Sequence, residues 1–262
     1  MTEVRQEKVD LWGGKLTVTV SVAGSGPPLL YLHQAAGLAW DPFLEHLAGT
    51  HTVYAPQFPG TTMGDPYSIH VIDNLSDMVL AYEELVRALG LENPVVVGQS
   101  FGGMLAAELA AFFPKLTDRL VLLAPLGLWR DDAPVTNLLA ASAEQLPGIL
   151  FHNPQVAAAA MAVPEDPETA VAATSQMVWS LGCAGKFIWP IPDRGLRDRL
   201  HRITSNTLIV WGGQDAFVPA RYAADFADLI AHSKVAMIEQ SGHLPQVEQF
   251  EQTAAAVDEF LS

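Results

Sequence analysis

The chain is poor in cysteine and in positive charge. Cys183 is the only cysteine among 262 residues, so no disulfide can form within the chain, and a cytoplasmic setting is the expectation. The lone thiol sits in no motif with histidine and reads as packing. Lysine and arginine number 14 against 29 aspartates and glutamates, a formal net charge of −15. An acidic chain repels phosphate backbones and anionic lipid, which argues against nucleic acid and membrane partners. No apolar run approaches the roughly 20 residues that span a bilayer. The polar N-terminus, MTEVRQEKVD, lacks the apolar stretch of a signal peptide. No two histidines stand at the spacing of a helix-borne metal site and no Cys/His cluster exists, so no metal and no other cofactor is expected. Internal repeats and low-complexity stretches are also missing. What is there is half apolar and 16% charged, the mix of a globular chain with a sizeable core.

The order of apolar runs points to an α/β architecture. Leu16 to Val22 alternates apolar and polar as a half-buried strand does, and Gly24-Ser25-Gly26-Pro27-Pro28 is a turn. Leu29–Leu32 is wholly apolar, as in a strand covered on both faces. Asp41-Pro42 reads as a cap and first-turn proline opening a helix through Leu47. Thr52–Ala55 is a further strand. Leu75, Met78, Val79, Tyr82, Leu85, Val86 and Leu89 recur at helical spacing and end at Gly90. The strand Pro94–Val97, a helix over Leu105–Phe113 and the strand Leu120–Leu123 follow. This alternation predicts a parallel sheet with helices on both faces.

From 126 to 198 the buried-strand runs stop, and alanine-rich helical pieces alternate with proline, glycine and tryptophan. Alternation resumes with Leu208–Trp211, a helix over 220–230, Val235–Ile238 and a final helix. The chain therefore reads as a core, 1–125 and 199–262, interrupted by a helical insertion over 126–198. Such an insertion emerges at one end of the sheet; if that is the C-terminal end, it covers the crevice where these sheets bind ligands.

Chemistry concentrates in three places. Gly98-Gln99-Ser100-Phe101-Gly102 is a G-x-S-x-G element between a buried strand and a helix, the setting of a nucleophile elbow. A sharp turn lifts the serine hydroxyl above the sheet, and the flanking glycines give clearance. A serine hydroxyl is a weak nucleophile without a base. His243, in Ser241-Gly242-His243 after the strand Val235–Ile238, can hang over the same edge. Asp215, in the loop after Leu208–Trp211, can orient that imidazole and stabilise its charged form. The order Ser, Asp, His is the one expected of such a sheet. His33 reads as a residue that pins the loop after its strand.

On these motifs, together with Ala55-Pro56-Gln57-Phe58-Pro59-Gly60 and Trp211-Gly212 through Pro219, the chain resembles the α/β-hydrolase superfamily over nearly its whole length. The resemblance implies a mostly parallel eight-stranded sheet, a helical cap and an oxyanion hole of two backbone N–H groups. One belongs to Phe101. The other comes from His33-Gln34-Ala35-Ala36-Gly37 and by alignment is that of Ala35. Family members usually carry glycine where this chain has Gln34, which places a polar side chain at the pocket mouth. Ser100 sets the chain apart from the haloalkane dehalogenases and epoxide hydrolases, which use aspartate there. Phe187, Trp189, Trp129 and Trp179 either line an apolar pocket or glue cap to core. Val218 and Leu244, beside the acid and the base, are also expected near substrate. The meta-cleavage-product hydrolases resemble the chain in plan, but they typically have tryptophan where it has Leu244. They also use a cap arginine that neither Arg130 nor Arg194 matches by motif.

Three functions are consistent with these residues. The leading one is hydrolysis of a carboxylic ester with a small or medium apolar moiety. The second is carbon–carbon bond hydrolysis of a vinylogous diketone. The third is a binding protein for a small hydrophobic ligand that keeps the fold. The expected partner is a small molecule, and the chain is expected as a monomer or homodimer.

Overall fold

The computed structural model describes residues 2–62 and 64–262. Eight strands form one sheet: β1 (Arg5–Leu11), β2 (Leu16–Ala23), β3 (Pro28–Leu32), β4 (Thr52–Pro56), β5 (Val95–Gln99), β6 (Arg119–Leu123), β7 (Asn206–Gly212) and β8 (Ser233–Ile238). Their spatial order is β1-β2-β4-β3-β5-β6-β7-β8. β1–β2 and β2–β4 pair antiparallel and the other pairs are parallel. The protein therefore has the expected α/β-hydrolase fold.

The period of two along each strand sorts side chains between two cores. Leu30, Leu32, Val96, Leu120, Leu122, Ile209 and Trp211 face one cluster. Leu29, Tyr31, Val97, Val121, Leu123, Leu208 and Val210 face the other. Helices α1 (Pro42–Leu47) and α9 (Phe250–Leu261) pack on the second. Helices α2 (Leu75–Ala88), α3 (Phe101–Phe112) and α7 (Tyr222–Leu229) pack on the first. α3 is apolar except for Glu108 and buried from Phe101 to Ala111, as a central helix is.

β1 had no counterpart in the sequence reading. Its segment, RQEKVDL, is mostly exposed and lies on the sheet's edge, where charge guards against pairing with other chains. It forms because the turn Trp12–Gly14 folds it back on β2.

Between β6 and β7 lie α4 (Leu146–Leu150), α5 (Pro154–Ala160) and α6 (Pro167–Ile188). Asp166 caps α6 by accepting the Thr169 N–H at 2.9 Å, and Pro167 follows at its first position. A bridge between Gly127 and Asp193 draws the two ends of this segment together. Cys183 on α6 is buried against Gly60, and burial raises its thiol pKa. Among the described residues no helix is long and apolar enough to cross a membrane. Short helix α8 (Pro245–Glu248) precedes α9.

Candidate active site

Ser100 is the single residue between β5 and α3, at φ 56° and ψ −114°. A non-glycine residue there costs on the order of 1–3 kcal/mol and persists only where its surroundings impose it. Here its N–H donates to the Leu123 carbonyl at 2.9 Å, and its carbonyl accepts from Met104 and Leu126 at 3.1 Å each. A Cβ on Gly98 would stand 2.7 Å from that of Ala106, and one on Gly102 would strike the Leu32 carbonyl. The glycines thus let α3 start hard against the ends of β3 and β5.

His243 lies in the loop after β8, wholly buried. Its Nε2 accepts from Ser100 Oγ at 2.8 Å and its Nδ1–H donates to Asp215 Oδ2 at 2.8 Å. The other carboxylate oxygen accepts the N–H groups of Phe217 and Val218, both at 2.9 Å. The carboxylate is thereby fixed, and it selects the tautomer whose bare nitrogen faces the serine. The Phe217 ring meets the imidazole edge-on at 4.6 Å. The His243 backbone N–H donates to the Leu150 carbonyl at 2.9 Å, so α4 holds the His243 loop directly. Gly242 is needed for that approach, since a Cβ there would lie 2.8 Å from the His152 nitrogen.

His33 holds the loop after β3. Its Nδ1–H donates to the Gln34 carbonyl at 2.7 Å, and its Nε2 accepts the Phe58 N–H at 3.0 Å. Burial lowers its pKa to about 4, so the ring is neutral and keeps both bonds. Gln34 is not among the residues with positive φ, so this loop does not require glycine there. Among the described residues, neither the Ala35 N–H nor the Phe101 N–H is given to a protein acceptor. Ala35 lines the space beside Ser100, and Phe101 follows Ser100 as the first residue of α3.

A model of the alpha/beta hydrolase family matches residues 23–256. The chain belongs to the alpha/beta hydrolase family. The chain is similar to the 2-hydroxymuconate semialdehyde hydrolase of Pseudomonas sp. strain CF600, at 26% identity over 266 residues, covering 92% of this chain and 88% of that protein. It is also similar to the pimeloyl-[acyl-carrier protein] methyl ester esterase of Vibrio cholerae, at 27% identity over 251 residues, covering 87% and 97% respectively. A candidate lipase of Acinetobacter baumannii shares its fold with TM-score 0.79 at 21% identity, covering 98% of this chain and 91% of the other.

The space beside Ser100 and His243 is a cavity of about 30 Å³. Its walls are Gln34, Ala35, Ala36 and Phe217 from the core, with Leu138, Leu146, Leu150, Met161, Met177 and Leu181 from the segment between β6 and β7. Of the seven side chains expected at substrate, only Gln34 is among them. Phe187 instead packs against Phe58 and Phe101, and the Trp179 Nε1–H donates to the Gly60 carbonyl at 2.9 Å. Both glue the insertion to the core. Trp129 bonds Asp131, and Trp189 is 47% exposed. Val218 serves the acid through its N–H, and Leu244 packs with Phe151 and Ala157. Arg130 is paired with Asp132 and Asp225, and Arg194 with the Phe187 and Trp189 carbonyls.

The aliphatic and methionine walls were missed because aromatic residues are the conspicuous ones in a sequence. Spacing within an irregular insertion does not say which face turns inward. Glu248 was missed as well. Its carboxylate accepts the N–H groups of Gly242 (2.5 Å), His152 (2.9 Å) and Asn153 (2.7 Å), tying the His243 loop to the α4–α5 junction.

Proposed function

We propose that the protein is a serine hydrolase that cleaves a carboxylic ester with a small or medium apolar moiety. The observation carrying this reading is the unbroken relay from Ser100 Oγ through His243 to Asp215, with 2.8 Å at each step. Ser100 Oγ attacks the ester carbonyl while its proton passes to His243 Nε2. The carbonyl oxygen becomes an oxyanion within reach of the Ala35 and Phe101 N–H groups. Its collapse breaks the bond to the alcohol oxygen, which takes the proton from His243. Water, deprotonated by His243, then attacks the acyl-enzyme and releases the acid. A donor in such a hole typically contributes about 10²–10³ in kcat.

The cavity walls support a neutral substrate. Among the described residues they contain no lysine or arginine, so nothing there offsets the carboxylate of a dienoate, as carbon–carbon bond hydrolysis of a ring-fission product requires. A pure binding protein has no use for the relay. The test is hydrolysis of p-nitrophenyl butyrate by the purified protein and by Ser100→Ala. The variant should keep its circular dichroism spectrum and lose turnover by at least about 10⁴-fold. Turnover within ten-fold of the parent would remove Ser100 as nucleophile.

A further inference from the structure

The cavity at Ser100, about 30 Å³, has room for about one water, far less than an ester needs. A hollow of about 530 Å³ opens beside it, within the range of about 300–1,000 Å³ usual for small-molecule sites. Pro147, Phe151, Ala157 and Met161 wall it on the side of α4 and α5, and Gln214 and Ala216 on the side of the Asp215 loop. Met161 borders both spaces. It stands just after the end of α5 and is half-buried, and its unbranched thioether can change rotamer at small cost.

The hollow lies on the His243 side of the nucleophile. Leu150, next to Phe151, accepts the His243 N–H, and Gly242 abuts His152. Gln214 and Ser241 exchange hydrogen bonds of 2.9 and 3.0 Å across the two loops. The leaving oxygen of an ester must face His243 Nε2 to receive its proton, so the alcohol moiety of the substrate extends toward this side. The walls decide its chemistry. They are mainly proline, alanine, phenylalanine and methionine, and their polar side chains are His152 and Gln214, of which Gln214 is bonded to the Ser241 N–H.

We propose that this hollow binds the alcohol moiety of the substrate, an apolar alkyl or aryl group, and that Met161 is the specificity-determining residue that turns aside to admit it. The inference rests on the ester-hydrolase reading above. It makes the preferred substrates esters of bulky apolar alcohols.

Methyl, butyl and hexyl acetate test it, with acetic acid release followed by titration. All three form the same acetyl-Ser100, so differences in kcat/KM arise in acylation, where the alcohol is still bound. Two variants fill the hollow from exposed positions: Gly148→Trp, where a Cβ meets nothing within 4 Å, and Ala158→Trp. The hexyl-to-methyl ratio of kcat/KM should fall at least ten-fold in each and rise in Met161→Ala. The ratio of p-nitrophenyl octanoate to acetate should move far less. A hexyl-to-methyl ratio within two-fold of the parent in both tryptophan variants would overturn the site. A change confined to the acyl series would overturn its assignment to the alcohol. If Ser100→Ala still hydrolysed these esters, the reading of Ser100 as nucleophile would fall; if turnover depends on Ser100 and the ratio stays flat, only the hollow's role falls.

Discussion

Glu248 is where the His243 loop meets the segment between β6 and β7. One carboxylate takes three backbone N–H groups, two from the insertion and one from the residue before His243. Glutamine has one acceptor oxygen and turns an N–H₂ toward donors, so Glu248→Gln leaves an N–H unpaired. A loss of about 1–3 kcal/mol in stability is expected, together with a fall in kcat at nearly constant KM for a short ester. Steady-state kinetics and urea denaturation read the two effects.

His33 makes a pH-dependent contribution. Burial lowers its pKa from 6.5 to about 4, so in the window between those values the unfolded chain binds the proton and the folded one does not. Stability therefore falls as pH drops through that window and the loss levels off below it. The size is about 3 kcal/mol. In His33→Gln, which cannot titrate, the unfolding free energy should drop by about that much less than in the parent between pH 7 and pH 4. Equal losses in the two proteins would show that His33 is not the group that titrates.

At this scale the sequence was uneven. Ser100, Asp215 and His243 stood out because each occupies the loop after a recognisable strand, and backbone geometry then decides where such loops point. Glu248 carried no comparable signal. A glutamate five residues after a histidine looks like any surface charge until His152 and Asn153, nearly a hundred residues away, are in place.

Among the elements, α3 does the most to place Ser100, and its one charged residue is Glu108. The carboxylate is buried and takes both arms of the Arg199 guanidinium, at 2.7 and 2.5 Å, which raises the Arg199 pKa. The bond ties the buried helix to the turn where the insertion returns to the core. Arg199→Leu strands a carboxylate in the interior and should cost about 3–5 kcal/mol, while Glu108→Leu combined with Arg199→Leu should recover most of it. Urea midpoints of the single and double variants check this. Strands and helices of the core were legible because their apolar periods are clean. The exposed edge strand β1 was not, since RQEKVDL has little apolar side to bury and depends on β2 for its form.

For the whole molecule, the sequence by itself determined the sheet, the helices on its two faces, the interruption between β6 and β7, and the three loops that carry the relay. Those are local matters: residue period, caps and glycines act over a few positions, and any chain with these patterns meets the same sterics. Only the tertiary structure decided what surrounds the serine. Aliphatic and methionine side chains close over it, while the tryptophans and Phe187 fasten the insertion or face solvent. An open hollow lies behind Met161. The reason is that a pocket is a negative of packing. Its walls are whichever side chains the helices of the insertion leave turned inward once their other faces are buried, and that choice depends on contacts between residues far apart along the chain.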